Sequence, residues 1–407
     1  MADMIAEVAV VGAGPAGLAS ALALQRLGMA PVIVAPPYDP VRANADQRTT
    51  ALIGPSLDFL ENIGAWPHCA AEATPFSAVR IADDRGTLVR VPEVLFTAQE
   101  IGLAQFGANI SNAALLHALH ATAHHQAVAR VDTAAVTHIE AGRGGVRLEI
   151  AEGGSVTAAL VVAADGRSSI APPAAGIAVR SWTYPQAAIA ATFAHKRAHG
   201  GIVYELHRRS GPLTTVPLKG LQSSLVWVEE PDEARRIASL ASDAFAELLE
   251  ERLQGVLGTI TDVSPRAIYP LSGATAERMG ARRIALVGEA AHVVPPIGAQ
   301  GLNLGLRDAA SLADCVARAK AEGLDIGAAR VLDAYHEARS ADVAARSGAI
   351  DLLNRSLLAD FLPLDLARGA VVHMIARSAK LREAFMRGGL GGVGELPRLM
   401  RPNAPGA

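Results

Sequence analysis

Residues 8–11, Val-Ala-Val-Val, run directly into Gly12-Ala13-Gly14-Pro15-Ala16-Gly17 and then into a stretch rich in Ala and Leu. An apolar strand, a glycine-spaced turn and a helix in that order predict a βαβ unit. They commit the N-terminal part of the chain to a parallel sheet with crossover helices. Each position has its own reason. Gly12 permits the tight turn, Gly14 lets backbone approach a pyrophosphate, and Gly17 lets the helix pack closely on the strand. Pro15 and Ala16 open that helix, whose positive end receives the negative charge. A second short strand is expected at 31–35. An acid at its end would meet a ribose, but the chain reads Val34-Ala35-Pro36-Pro37, so that hydrogen bond is missing or comes from elsewhere.

A second informative segment is 286–309, LVGEAAHVVPPIGAQGLNLGLRDA. The apolar run 284–287 should end a strand at Gly288 and deliver the Glu289 carboxylate to a loop, where it can accept hydrogen bonds from ligand hydroxyls. Pro295, Pro296 and Gly298 turn the chain, and Gly301, Leu302 and Asn303 open a long helix. Its unpaired amides and dipole suit an anionic reduced flavin. A third segment, 160–169, is an apolar strand ending in Asp165-Gly166. A further GxGxxG match at 389–394 has no strand before it and 13 residues after it, and reads as a flexible tail.

Taken together, these segments resemble the class A FAD-dependent aromatic hydroxylases. The usual form of the 288–303 segment in that class is GDAAH-x-x-PP-x-x-G-x-G-x-N, and Asp165-Gly166-Arg167-Ser168-Ser169 is similar to its ADG-x-x-S-x-x-R motif. Asp46-Gln47-Arg48-Thr49-Thr50-Ala51-Leu52, with Leu60 and Ile63-Gly64-Ala65-Trp66, resembles the D-x-R-t-x-A-L … L-x-x-x-G-x-W pattern of the ubiquinone-biosynthesis hydroxylases. Residues 303–308, and Asn354-Arg355 before a Pro-containing helix pair, favour that branch. Two further departures stand beside Ala35: Glu289 replaces Asp, and Pro172 replaces the final Arg.

The resemblance implies an α/β fold in which a Rossmann-like FAD-binding domain interlocks with a smaller, β-sheet-rich substrate domain, like para-hydroxybenzoate hydroxylase, followed by C-terminal helices. The expected FAD-binding domain is discontinuous, at 1–75, 100–180 and 266–350. Residues 76–99 and 181–265 form the substrate domain, and 351–407 the C-terminal helical region and tail. Within this frame 109–125 reads as a crossover helix, 128–162 as strands, 81–91 as an inserted hairpin and 237–253 as one helix. The implied cofactor contacts are Gly12, Gly14, Pro15, Ala16, Gly17, Arg48, Asp165, Gly288, Glu289, Gly298, Gly301, Leu302 and Asn303. Pro296 would border the substrate. His292 is a candidate for bracing the flavin loop or for handling a proton there. The implied reaction uses FAD, O₂ and NAD(P)H or another electron donor to hydroxylate a polyprenylated phenol through a C4a-hydroperoxyflavin.

Composition agrees. The chain has 407 residues, enough for two interlocked domains, and its 50% apolar content contains only 4% aromatics. No apolar run reaches the ~18 residues of a spanning helix, and 1–6 carries no cation of a signal peptide. Cys69 and Cys315 supply no disulfide framework. His117, His120 and His124 share a helical face, but no carboxylate or cysteine joins them, so no metal site is expected. A net charge of −3 gives no reason to invoke nucleic acid. From residue 366 onward seven cations face two acids, net +5, interleaved with apolar residues. That pattern suits a helix pair packed on the body or a peripheral contact with an anionic inner membrane face. A cytoplasmic setting is expected, with a quinone-biosynthesis assembly or a homodimer both compatible. Two other readings remain open: a monooxygenase of a small soluble phenol, and a weakly FAD-binding scaffold. The three departures motivate the scaffold, because each lost hydrogen bond costs ~0.5–1.5 kcal/mol.

Overall fold

A computed structural model describes residues 3–84, 92–358, 362–391 and 394–402, with backbone alone over 362–368. The strand Met4–Val11 is followed by the helix Pro15–Arg26 and the strand Pro31–Ala35, the expected βαβ unit. Met4–Val11 pairs in parallel with Pro31–Ala35 on one side and with Ser155–Ala163 on the other. Ile284–Leu286 and Ala129–Asp132 extend the parallel sheet outward. Its strands are nearly continuous in Val, Ile, Leu and Ala because helices cover them: Val8, Ala9, Val10, Leu160, Val161 and Ile284 are fully buried. The loops at residues 12, 36, 164 and 287 therefore all leave the carboxyl edge of this sheet, and the order switches there between Met4–Val11 and its two neighbours.

A nine-stranded, mostly antiparallel sheet stands over that edge. Its long strand Val179–His195 pairs with Ala267–Ala276 and with Gln222–Glu229. One face is roofed by the helices Pro231–Ala238 and Ser242–Arg252, which bury Ile237, Phe245 and Leu249 against Phe193, Leu213 and Trp227. A small sheet of Thr49–Ile53, Gly107–Ser111 and Thr74–Phe76 joins the two layers. Thr49 Oγ1 reaches Ser224 Oγ at 2.8 Å, and Asn109 Nδ2 donates to the Pro217 carbonyl at 3.0 Å.

Several sequence expectations need correction. The helix expected from 109 begins at Asn112, because Asn109 is drawn into the strand Gly107–Ser111 and Ser111 caps the helix, accepting from the Ala114 amide. The single helix expected over 237–253 is two helices, broken at 239–241. The inserted hairpin is built from Ala78–Asp83 and Val94–Thr97, and its connection at 85–91 lies outside the described residues. Gly389 and Gly391 are not tail residues but end the helix Ala379–Gly391, where their carbonyls accept from Arg346 and Arg307. Beyond it Leu399 and Met400 are buried in the main core, and Asn62 donates to the carbonyls of Leu399 and Arg401.

Among the described residues four of the C-terminal cations have acidic partners: Arg382 with Glu100, Arg387 with Glu383, Arg398 with Asp314 and Arg401 with Glu395. Phe385 stacks on Phe96 at 5.2 Å between ring centres, so the last long helix packs on the hairpin. Hydrogen bonds from Arg382 hold the Glu100 carboxyl down at about 2, below its ordinary 4.5. A depressed folded pKa contributes stability that is complete above about pH 4.5 and is lost as pH falls toward 2. Protease cleavage within 379–391 should therefore rise on acidification through that window. Glu100→Gln should show the faster cleavage already at pH 7. Among the described residues no helix is long and apolar enough to cross a membrane.

Candidate cofactor and substrate cavity

The edge of the parallel sheet, the inner face of the large sheet and the C-terminal helices enclose one cavity of ≈ 2110 Å³. Gly14, Pro15 and Ala16 line it, with Arg48, Gly166, Gly288, Glu289, Pro296, Gly298, Gly301 and Leu302. Gly12 and Gly17 sit behind that lining and make the turn itself. Gly12 has φ +101°, and a Cβ there would lie 2.4 Å from the Ala164 carbonyl oxygen. At Gly14 a Cβ would meet nothing within 4 Å. The helix Pro15–Arg26 has no side-chain cap, and neither does Gln300–Ala321, so unpaired amides of two helix starts are available at the cavity. This cradle fits a dinucleotide carrying a pyrophosphate.

Arg48 lies 5.1 Å over the Tyr269 ring and is held by Asp46 through Nε and Nη2, both at 2.8 Å. Glu289 reaches Arg167 Nη2 at 3.0 Å, a use for its extra methylene within the protein. Asp165 is not among the lining residues. Burial pushes its carboxyl above the ordinary range, while its neighbours Ala164 and Gly166 face the cavity. Asn303 also faces away: its amide group donates to the Ala51 and Ala299 carbonyls and accepts from the Ile53 amide. It stitches the long helix to the strand that follows Arg48.

Counting the motif from Pro295-Pro296 puts its first glycine at 299, which is Ala, and not at Gly298. Ala299 adopts φ +53°, ψ +35°, a left-handed conformation that costs an L-residue roughly 1–2 kcal/mol. Ala299→Gly should relieve part of this and raise stability by about 0.5–1 kcal/mol in urea unfolding. A loss of stability would mean that the Ala299 methyl packs well enough to outweigh the strain.

At the end of Pro31–Ala35, where the ribose acid is absent, Tyr38 stacks on His120 at 3.9 Å, and both line the cavity. Burial pushes the His120 imidazole down to about 4, so the ring is neutral near pH 7. His117 pairs with the Tyr38 hydroxyl and with Asn44. The nearest acid along the chain, Asp39, accepts from the amides of Val41 and Arg42 instead.

His292 is buried, and its Nε2 lies 2.6 Å from Asp308 Oδ2. The same oxygen accepts from the Gly288 amide at 3.0 Å, and Asp308 Oδ1 accepts from Arg339 Nε at 2.7 Å. Arg339 continues to Asp342 at 2.8 Å. This chain of charges, invisible to motif reading, fixes the loop carrying Gly288 and Glu289. A second group not found from sequence, Glu205 with His207, lines the cavity from the large sheet.

The family description FAD binding domain matches residues 5–347. The chain belongs to that family of FAD-dependent monooxygenases. The monooxygenase is 35% identical to ubiquinone hydroxylase UbiL of Rhodospirillum rubrum, across 98% of this chain and 94% of that one. It is 27% identical to 3-demethoxyubiquinol 3-hydroxylase of Escherichia coli, across 96% and 100%. Among solved structures it resembles p-nitrophenol 4-monooxygenase PnpA of Pseudomonas putida, with TM-score 0.77, 20% identity and coverage of 96% and 100%. Klebsiella pneumoniae HpxO, solved with FAD and uric acid, gives TM-score 0.72 at 18% identity, covering 96% and 97%. The monooxygenase thus has the fold of FAD-binding hydroxylases, and FAD is its cofactor.

Proposed function

We propose that this monooxygenase hydroxylates the aromatic ring of a polyprenylated phenol in ubiquinone biosynthesis. The observation that carries the reading is the cavity: one wall is the dinucleotide cradle, and the rest is a mostly apolar chamber reaching the C-terminal helices. Relatives named as ubiquinone hydroxylases match along nearly the whole chain.

Gly14, Pro15 and Ala16 would receive the pyrophosphate, with Gly12 and Gly17 shaping the turn. Arg48, Glu289 and Gly288 would hold the cofactor's middle, with Asp165 fixing the loop beside it. Gly298, Gly301 and Leu302 would face the ring, and Asn303 would anchor that helix start. Pro296 would border the substrate, and His292 would act through Asp308 on the loop. Bound FAD, reduced by NAD(P)H or another donor, supplies the activation of O₂. The chain's own task is to aim the ring and exclude water, which Phe76, Phe96, Phe106, Ile297, Met386 and Leu390 do around the chamber. The parallel sheet and its loops then serve as the FAD-binding domain and the large sheet as the substrate domain. Exposed Val371, Met374, Leu381 and Phe385 on the C-terminal helices support peripheral contact with a membrane holding such a substrate.

The test is to purify the protein, quantify released flavin, and compare O₂-dependent hydroxylation of a phenol with and without one prenyl unit. Burying five carbons is worth on the order of 3 kcal/mol, so kcat/KM should rise ~100-fold with the prenyl unit. Equal rates would favour a small soluble phenol. A protein that stays colourless in excess FAD would favour the scaffold.

A further inference from the structure

The inner face of the large sheet changes character along its strands. Val79, Ile81 and Asp83 point into the cavity from Ala78–Asp83, and Val203, Glu205 and His207 from Ile202–Arg208. Thr214 with Val216, and Ser224 with Val226, do the same from the next two strands. Pairing sets these residues in rows. Ser224 lies beside Val216, and Val203 beside Val79, while Glu205 lies between Ile81 and Thr214, with Val226 beyond. Ser224 is the residue bonded to Thr49, next to Arg48, so its row borders the cofactor side. Glu205 stands two residues farther along its strand than Val203, a step of ~7 Å. A six-membered ring with a hydroxyl group spans a comparable distance.

Glu205 is 8% exposed, with Ile81 and Thr214 beside it and Val226 beyond, a costly place for a carboxylate without partners. His207 Nε2 meets Oε1 at 2.8 Å. Among the described residues Oε2 has no hydrogen-bond partner and no cation on the sheet claims it, yet it is not sealed from the cavity. The alternating residues Tyr204 and Leu206 pack on the opposite side, beneath the two roofing helices, so the pair belongs to the cavity wall and not to that core. A mostly apolar chamber whose wall keeps one carboxylate oxygen accessible can accept one hydrogen bond from an otherwise apolar guest.

We propose that Glu205, oriented by His207, accepts the hydrogen bond of the substrate's phenolic hydroxyl and so selects free phenols over their ethers. This rests on the prenylated-phenol reading. Glu205 Oε2 holds the ring by its hydroxyl, and His207 is a positioning residue that keeps the carboxylate turned inward. The hydroxyl must keep its proton to donate, which an ether cannot do. A site built to pair a buried hydroxyl rejects the analogue that leaves its acceptor unpaired.

The experiment uses FAD-loaded full-length protein and a prenylated phenol beside its methyl ether, with dissociation constants read from the change in flavin absorbance. Wild type should bind the phenol at least ~10-fold more tightly than the ether, as expected for a hydrogen bond to a charged acceptor. Glu205→Leu should bring the two within ~2-fold while keeping or improving ether affinity, which also reports that the variant is folded. Glu205→Gln and His207→Gln should give intermediate ratios. A wild type that binds phenol and ether alike overturns the proposal whatever the variants do, and so does a preference that survives in Glu205→Leu. If neither ligand perturbs the flavin of a protein that carries FAD, the prenylated-phenol reading fails, and this inference with it.

Discussion

Valine at position 14 should give a folded, colourless protein. Gly14 has φ −72° and ψ 175°, an extended conformation open to any L-residue, and nothing lies within 4 Å of its would-be Cβ. The backbone therefore tolerates the change. The new side chain projects instead into the space in front of the uncapped helix Pro15–Arg26, where a pyrophosphate would approach the amides. FAD affinity should fall at least ~100-fold, about 2.7 kcal/mol, with the thermal midpoint of the apoprotein unchanged. Gly17→Val should behave oppositely, since a Cβ there would lie 2.2 Å from the Gly12 carbonyl oxygen and damage the fold itself. Fluorescence titration with FAD, beside circular dichroism of each apoprotein, separates the two. Stoichiometric flavin in Gly14→Val would remove the pyrophosphate from this turn.

The largest loss of stability is expected from Asp308→Asn. Asp308 and Arg339 are both fully buried, and the carboxylate serves Gly288, His292 and Arg339 together. Burial alone would push its carboxyl up, but His292 and Arg339 outweigh that and hold it below the ordinary range. Removing one member of a buried ionic set leaves the others uncompensated, at a cost of about 3–5 kcal/mol. Urea unfolding at pH 7 should show that loss. Because the folded pKa is depressed, the contribution is present above the unfolded carboxyl range and fades as pH falls below it. A change under ~1 kcal/mol would mean that water reaches the set and screens it.

The βαβ unit was legible because its glycine spacing answers to local backbone geometry. Gly12 and Gly17 fail sterically against atoms a few residues or one strand away. The start of the helix Asn112–His125 was less legible. Asn109 has the composition of a helix start, yet pairing with Thr49–Ile53 and a hydrogen bond to Pro217 decide its conformation from a distance. Residues 389–391 end a helix instead of forming a tail because Arg307 and Arg346, distant in sequence, take the carbonyls of Gly391 and Gly389, a capture the local glycine spacing does not encode. Asp308 and Arg339 lie 16 and 47 residues beyond His292, and no periodicity links them. Glu205 and His207 alternate with apolar residues as a solvent-facing strand would. Only the packing of Pro231–Ala238 and Ser242–Arg252 on the other face turns them inward.

Leu399 and Met400, seated in the main core beyond the last long helix, change how the cavity's outer wall can behave. The helix Ala379–Gly391 is fastened downstream by this plug and upstream by the helix Leu362–Arg377, against which it packs. If the Arg382 to Glu100 contact breaks, the helix stays tethered near its seat and meets it again at an effective concentration of about millimolar. Reclosure is then a unimolecular event, insensitive to protein concentration, and cutting the chain after residue 391 would turn the wall into a loose end.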